Sequence, residues 1–250
     1  MDLQQFFSAH PKIAIAFSGG VDSSFLFYAA AKYAKEVHAY FVKGAFQPEF
    51  EIADAKKIAA FVGAPFTVLH ADVLADDRVT ANPANRCYYC KQNVFSIILE
   101  AARADGFTEI CDGTNASDDA SDRPGMKALQ EMQVLSPLRL CGLTKAMIRQ
   151  QSKAAGLFTW DKPSYACLAT RIPTGQQITA ENLARTEKAE GYLFSLGFSD
   201  FRIRTVGDVA KIQLPGSQFA LLMAHRKEIL QHLQGPYSAV TLDLEARDEK

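Results

Sequence analysis

The chain has 250 residues, 27 basic and 28 acidic side chains and a net charge of −1. A balance this close to neutral disfavours a nucleic-acid polyanion as partner, and the length suits one large domain or a main domain with a smaller one. No stretch approaches the ~20 apolar residues of a membrane span, the first ten residues lack the basic and apolar regions of a secretory signal, and the cysteine count is odd, so a reduced, cytoplasmic protein without a membrane partner is expected.

Residues 1–10 read as a short lead-in helix. Ile13, Ala14, Ile15, Ala16 and Phe17 then form the apolar run of a central parallel strand. Ser18-Gly19-Gly20-Val21-Asp22-Ser23-Ser24 follows directly. Its two glycines permit a tight turn and close approach of a ligand to the backbone. Asp22, Ser23 and Ser24 open a helix through Phe25, Leu26, Ala29, Ala30 and Tyr33, and a helix N-terminus offers free N–H groups and a positive dipole end. Together these make a phosphate cradle. No Gly-Lys-Ser/Thr follows, so it is not a Walker A loop, and the Gly-x-Gly-x-x-Gly of a dinucleotide site is absent. The seven-residue string resembles the PP-loop of the ATP pyrophosphatases, which split ATP into AMP and pyrophosphate. The resemblance implies ATP bound along residues Phe17 to Ser24. Mg²⁺ would shield the phosphates, with Asp22 as a candidate ligand.

A strand over 37–42, an amphipathic helix over 49–62 closed by Gly63, and a strand over 66–70 complete βαβαβ, which predicts a parallel sheet with right-handed crossovers. Ligands of such sheets sit at the carboxyl ends of the strands, which brings Lys43 towards the nucleotide. Residues 71–86 read as a polar loop leading to Cys87-Tyr-Tyr-Cys90, after which a helix runs through Val94, Phe95, Ile97, Ile98 and Ala101 to Gly106. A fourth strand over 109–111 feeds Asp112-Gly113-Thr114-Asn115, at the same sheet edge as the glycine loop, so Gly113 and Asn115 join the nucleotide site. Residues 116–124 are acidic, polar and expected to be mobile. A short helix over 125–130, a break at Ser136-Pro137-Leu138 and a helix over 145–155 capped by Thr144 follow. The unusual residues of 161–175, with two prolines, mark a domain boundary that carries function. Beyond it come a helix (179–196), a strand (201–206), a Gly207-Asp208 hairpin turn, a strand (210–214), a helix (217–233) and a strand (239–244). The expected architecture is α/β: a parallel sheet with helices on both faces over 1–160, of the PP-loop, adenine nucleotide alpha hydrolase-like class, and a small α+β domain over 161–250.

The Cys87-x-x-Cys90 pair admits several readings: half of a zinc site, two buried thiols, or a redox dithiol. With Cys167 it also supplies the three thiolates that hold a [4Fe-4S] cluster with one iron open. Cys111 lies in a strand and reads as core, and Cys141 has no motif around it. Arg202 and Arg204 alternate along a strand and share one face, where paired guanidiniums suit a substrate phosphate.

The PP-loop string, Asn82-Pro-Ala-Asn-Arg-Cys-Tyr-Tyr-Cys-Lys91, Asp112-Gly-Thr-Asn115, Pro163-Ser-Tyr-Ala-Cys-Leu-Ala-Thr-Arg171, and Arg202-Ile-Arg204 with Gly207-Asp208 together resemble the LarE family. Those ATP-dependent sulfur transferases help mature the nickel-pincer cofactor of lactate racemase. The resemblance covers nearly the whole chain. It implies adenylation of a carboxylate on a pyridinium dicarboxylate mononucleotide, then sulfur transfer at Cys167. It also implies an acidic site residue at Glu190, with Glu187 one turn away as the alternative, a phosphate contact from Arg247, a homo-oligomer, and sulfide or a cysteine desulfurase system as donor. One branch of the family sacrifices the cysteine sulfur and leaves dehydroalanine; another carries an exchangeable sulfide on a [4Fe-4S] cluster. The presence of Cys87 and Cys90 beside Cys167 favours the cluster branch. A tRNA thiolase is the alternative, disfavoured by the neutral charge and the lack of a basic extension. The chain departs from the family pattern at Thr205-Val206, where His-His is common, and at Glu245-Ala246, where Gly-Tyr is usual; both departures bear on the substrate.

Overall fold

The computed structural model describes residues 1–118, 124–245 and 247. In chain order the elements are α1 (Leu3–Ala9), β1 (Lys12–Ala16), α2 (Val21–Tyr33), β2 (Glu36–Lys43), α3 (Glu49–Val62), β3 (Phe66–His70), α4 (Asp77–Thr80), α5 (Arg86–Ala104) and β4 (Ile110–Cys111). They continue with α6 (Pro124–Glu131), α7 (Pro137–Leu140), α8 (Lys145–Ala154), α9 (Ala180–Ser195), β5 (Arg202–Val206), β6 (Val209–Gln213), α10 (Phe219–Ala224), α11 (Arg226–Leu233) and β7 (Ala239–Leu242). The chain divides into two compact units: Met1–Val73 with Asn85–Lys162, and Leu74–Ala84 with Pro163–Lys250.

The first unit is built on a parallel sheet in the order β3-β2-β1-β4. Alternation along β1 sends Ile13 and Ile15 to one face and Ala14 to the other. On the first face these isoleucines, with Val37, Ala39 and Phe41 of β2, pack on Phe25, Leu26 and Ala29 of α2, on Phe6 and Phe7 of α1, on Ile58 of α3 and on Ile148 of α8. On the second face Ala14, Tyr40 and Val42 meet Phe95, Ile98 and Ala102 of α5 and Leu129 of α6. Helices therefore cover both faces, and each large apolar side chain so buried stabilises the unit by roughly 1.5–3 kcal/mol. α2 buries 8 of its 13 residues, so it lies inside the helical layer and shows no simple polar face. β4 is short. Its two residues, Ile110 and Cys111, pair with Ala14 and Ile15 of β1, the Asp112 N–H already bonds the Leu135 carbonyl at 2.9 Å, and the chain leaves the sheet at the 112–115 turn.

The second unit centres on the sheet β5-β6-β7. β5 and β6 form the expected antiparallel hairpin, turning at Gly207 with φ +57°, and β7 adds parallel to β6. Leu193 of α9, Phe198, Phe201, Ile203, Ile212, Ile229, Leu233 and Tyr237 form its core.

Two sequence expectations are corrected. The stretch over 71–86 is not a plain loop: it holds a 3-10 turn (Val73–Ala75) and α4. Residues 74–84 are sewn to the second unit by its main chain. The Ile178 N–H bonds the Thr80 carbonyl at 2.8 Å, the Gly175 N–H bonds the Asn82 carbonyl at 2.8 Å, and the Asn82 amide reaches the Pro173 carbonyl at 2.8 Å. The expected helix over 217–233 is broken at His225 into α10 and α11. The run Ala224-His-Arg-Lys-Glu228 offers no buried apolar side chain to hold one straight helix, whereas Leu222 before it and Ile229 and Leu233 after it are buried. Of the polar 116–124 stretch, residues 119–123 lie outside the described residues.

Candidate active site

The phosphate cradle is assembled by the first unit. Phe17 extends β1 by donating its N–H to the Tyr40 carbonyl at 2.9 Å. The chain then turns at Gly19, whose φ of +73° lies in the left-handed region and whose Cβ, if present, would sit 3.3 Å from the Glu51 carbonyl oxygen. Ser23 braces the turn from inside. Its hydroxyl accepts the Ser18 N–H at 3.2 Å, lies 3.0 Å from the Ser18 hydroxyl and donates to the Gly20 carbonyl at 3.3 Å. Gly20 is the N-cap of α2 and brings no side-chain cap, so the first N–H groups of α2, from Val21 on, face the loop for an anion.

Gly113 brings the second wall against the first. A Cβ there would lie 2.9 Å from the Ser23 nitrogen and 3.1 Å from Ser23 Cα, so only glycine lets the two backbones touch. Asp112 anchors this turn, its carboxylate accepting the hydroxyls of Thr114 and, at 2.6 Å, Ser136. Asn115 is buried. Its N–H bonds the Asp118 carboxylate at 3.0 Å and its side-chain oxygen accepts the Ser117 N–H at 2.8 Å.

Asp22 stands in the first turn of α2. Lys145 Nζ meets its Oδ2 at 2.6 Å, while Oδ1 is buried and has no hydrogen-bond partner among the described residues. Burial raises the Asp22 carboxyl above its ordinary value, Lys145 works against that rise and the Asp118 charge adds to it. A buried, unsatisfied carboxylate oxygen in a phosphate cradle fits Mg²⁺, which binds through one or two carboxylates and the phosphates themselves. Lys43 closes β2 and serves the following turn, bonding the Gln47 carbonyl and pairing with Glu49 at 2.9 Å. Lys91 is half-buried on α5. Burial lowers its pKa, the charges of Asp112, Cys87, Asp118 and Cys90 oppose that, and a Cβ at Gly125 would lie 3.0 Å from its stem.

Cys87 and Cys90 fall within the first turns of α5, three residues apart on one face. Cys87 is exposed and Cys90 half-buried, and an Arg86 guanidinium nitrogen lies 3.9 Å from Cys87 Sγ. Two thiols three residues apart on one helix face suit two ligands of a metal cluster. Cys167 belongs to the second unit, and among the described residues no group of three or more His, Cys, Asp and Glu forms a metal site.

In the second unit, Cys167 is the N-cap of a 3-10 turn (Leu168–Arg171) and is half-buried. The loop around it is held by arginines on its own carbonyls. Arg171 bonds the Ala166 carbonyl at 2.7 Å, Arg204 bonds the Thr170 carbonyl at 2.6 Å, and Arg202 bonds the Ser164 carbonyl. Glu190 neutralises Arg171 through two bonds of 2.8 and 2.9 Å, and also accepts the Tyr165 hydroxyl at 2.6 Å and the Ile203 N–H at 2.9 Å. The Tyr165 ring lies 4.4 Å from the Arg171 guanidinium carbon. Arg247 bonds the Asp200 carbonyl at 2.9 Å and its carboxylate at 3.2 Å. Four arginines thus gather around two carboxylates, Glu190 and Asp200. Burial, followed by the charges of Arg171 and Arg247, lowers the Arg202 pKa to about 10. An anion at Arg202 and Arg204 would relieve that repulsion.

The Asparagine synthase family matches residues 5–92, from α1 to the start of α5. An uncharacterized protein of Synechocystis sp. is 36% identical over 98% of this chain and 92% of its own length. The pyridinium-3,5-bisthiocarboxylic acid mononucleotide synthase of Lactiplantibacillus plantarum is 30% identical over 93% of this chain and 86% of its own. The chain belongs to the LarE family. An uncharacterized protein of Methanocaldococcus jannaschii is also similar, at 27% identity over 94% of the chain.

Within this LarE-family chain the structure brings residues 18–24 together with Gly113, and Glu190 together with the Cys167 loop, Arg202 and Arg204. It also reveals residues to which the sequence assigned no role. Lys145 is the partner of Asp22, and its only signal was its place directly after the Thr144 helix cap. Arg171, fully buried, is the hub of the Cys167 loop, and its signal was its place at the end of the Pro163–Arg171 motif.

Proposed function

We propose that this protein is an ATP-dependent sulfur transferase acting on a carboxylate of a pyridinium-3,5-dicarboxylate mononucleotide. The observation that carries the reading is the near-full-length match to the L. plantarum synthase, in a chain that keeps both the PP-loop string and the Cys167 motif. A substrate carboxylate oxygen attacks the α-phosphorus of ATP, the bond to the β-phosphate oxygen breaks, and pyrophosphate leaves into the N–H groups of α2. Mg²⁺ held at Asp22 would shield the phosphates. Adenylation is needed because a carboxylate oxygen is a poor leaving group, whereas AMP is a good one. A sulfur nucleophile then attacks the acyl carbon, the carbon–oxygen bond to AMP breaks, and a thiocarboxylate results. Arg202 and Arg204 bind the substrate phosphate, and Arg247 adds to the field.

Cys87, Cys90 and Cys167 would hold a [4Fe-4S] cluster, which when bound supplies an exchangeable sulfide at its open iron. The departure at Thr205 concerns the substrate end. Its hydroxyl is buried, 2.8 Å from the Thr186 hydroxyl and 3.1 Å from the Tyr237 hydroxyl, and so is engaged within the unit.

The test is anaerobic purification followed by assays of pyrophosphate release and thiocarboxylate formation on the dicarboxylate mononucleotide, with iron and sulfide analysis. The expected protein is brown, holds about four irons and loses them on Cys87→Ala. Colourless protein with dehydroalanine at position 167 after turnover would replace the cluster by sacrificial transfer, in which Cys167 Sγ forms a thioester and loss of the Cα proton breaks its Cβ–Sγ bond. No substrate-dependent pyrophosphate would overturn the reading itself.

A further inference from the structure

The segment that leads into Cys167 lies wholly in the second unit, and residues 163–167 form no helix or strand. Its placement therefore rests on side chains. Pro163, Ser164 and Ala166 are exposed, and Tyr165 alone of the residues between Pro163 and Cys167 is half-buried. Its hydroxyl donates to Glu190 Oε2 at 2.6 Å. Its ring meets two guanidiniums, whose carbons lie 4.4 Å (Arg171) and 5.4 Å (Arg202) from the ring centre, within the range of cation–π attraction. It also tilts against Phe194 of α9, with ring centres 6.4 Å apart. The same two arginines hold the carbonyls on either side of Tyr165: Arg202 takes that of Ser164, and Arg171 takes that of Ala166 at 2.7 Å. Arg171 further reaches the Cys167 carbonyl at 3.4 Å, which accepts the Thr170 hydroxyl at 2.8 Å. One cluster thus fixes the three residues before the cysteine. Its members are themselves fixed, Glu190 on α9 with the Ile203 N–H at 2.9 Å, and Arg202 on β5.

We propose that Tyr165 is a positioning residue for sulfur transfer: its ring on Arg171 and Arg202 and its hydroxyl on Glu190 hold Cys167 where sulfur is delivered. The inference rests on the sulfur-transfer reading above. The two carbonyl bonds fix the main chain at 164 and 166 only as far as the guanidiniums that make them stay in place. A flat ring packed on both guanidiniums limits their movement, and its hydroxyl ties the loop to the carboxylate that neutralises Arg171. With Cys167 displaced, water takes the place of sulfur. Its oxygen attacks the acyl carbon, the bond to the AMP oxygen breaks, a proton is released and the carboxylate returns. Pyrophosphate is then formed without thiocarboxylate.

The experiment uses the full chain and measures pyrophosphate and thiocarboxylate separately on the dicarboxylate mononucleotide. In Tyr165→Leu, which removes the ring and the hydroxyl, thiocarboxylate formed per pyrophosphate falls by about 10- to 100-fold. Tyr165→Phe keeps the ring, loses one hydrogen bond and recovers most of that ratio, remaining about 2- to 10-fold below wild type. A purely structural role would lower both products in proportion, and that result, or an unchanged ratio, overturns the proposal. Hydrogen exchange read by mass spectrometry needs no turnover. In Tyr165→Leu the peptide over 163–171 exchanges about tenfold faster, while that over 202–213 exchanges as in wild type. Equal exchange over 163–171 in the two proteins also overturns the proposal. Should wild type release no pyrophosphate, the sulfur-transfer reading fails, and the exchange over 163–171 alone decides whether Tyr165 holds the loop. If Tyr165→Leu does not fold, the ratio in Tyr165→Phe decides it.

Discussion

Glu190→Ala separates the structural share of this carboxylate from any chemical one. Glu190 is 1% exposed and its partner Arg171 0% exposed, so neither charge has water to fall back on. The carboxylate accepts four hydrogen bonds, two of them from Arg171 at 2.8 and 2.9 Å. Truncation leaves the guanidinium uncompensated, with its Nε and one terminal nitrogen unpaired, and leaves the Ile203 N–H without its acceptor. Breaking a buried pair by removing one partner costs about 3–5 kcal/mol. Removing both charges with Glu190→Ala/Arg171→Met takes away the uncompensated ion, so the double variant should recover part of the loss despite its smaller side chains. Urea unfolding followed by circular dichroism measures both. A single variant within about 1 kcal/mol of wild type, or a double variant less stable than the single, would show that the pair does not hold the Cys167 loop.

Three further outcomes test the cradle and the anion site. Gly113→Ala drives a Cβ to within 2.9 Å of the Ser23 nitrogen, backbone against backbone, so the protein folds with a penalty of about 1–3 kcal/mol and loses nucleotide affinity, read by calorimetry. Burial raises the Asp22 pKa above 3.8, so the folded state holds this proton more tightly than the unfolded chain; its stabilising share is complete below pH 3.8 and is lost as pH rises through the raised value. Asp22→Asn should therefore be more stable than wild type at neutral pH, lose that advantage in acid, and gain no thermal stability from Mg·ATP. Arg204→Gln should raise KM for the phosphorylated mononucleotide and leave the half-saturation for ATP alone; equal effects on both would remove Arg204 from the substrate phosphate.

The parts of this protein that were legible in its sequence are those in which side-chain identity itself carries the physics. Ile13, Ala14 and Ile15 run apolar without a break because both sheet faces are buried, and Gly19 is glycine because φ is +73°. Gly113 is glycine because a backbone lies against it, which the Asp-Gly-Thr-Asn spacing announced without stating the reason. The illegible parts are contacts to main-chain carbonyls. Residues 74–84 join the second unit through the Thr80 and Asn82 carbonyls, and the 3-10 turn ahead of Pro163 is held by Arg149 on the carbonyls of Trp160 and Lys162. The Cys167 loop likewise rests on Arg171, Arg202 and Arg204 acting on the carbonyls of Ala166, Ser164 and Thr170. Every residue type offers the same carbonyl, so no spacing or composition at positions 160, 162, 164, 166 or 170 encodes these bonds. Only the donor is written in the sequence, and an arginine reads there as a solvated charge or a phosphate ligand. Arg202 and Arg204 were legible as a pair on one strand face for that reason, while their grip on the loop became visible only when the chain was folded.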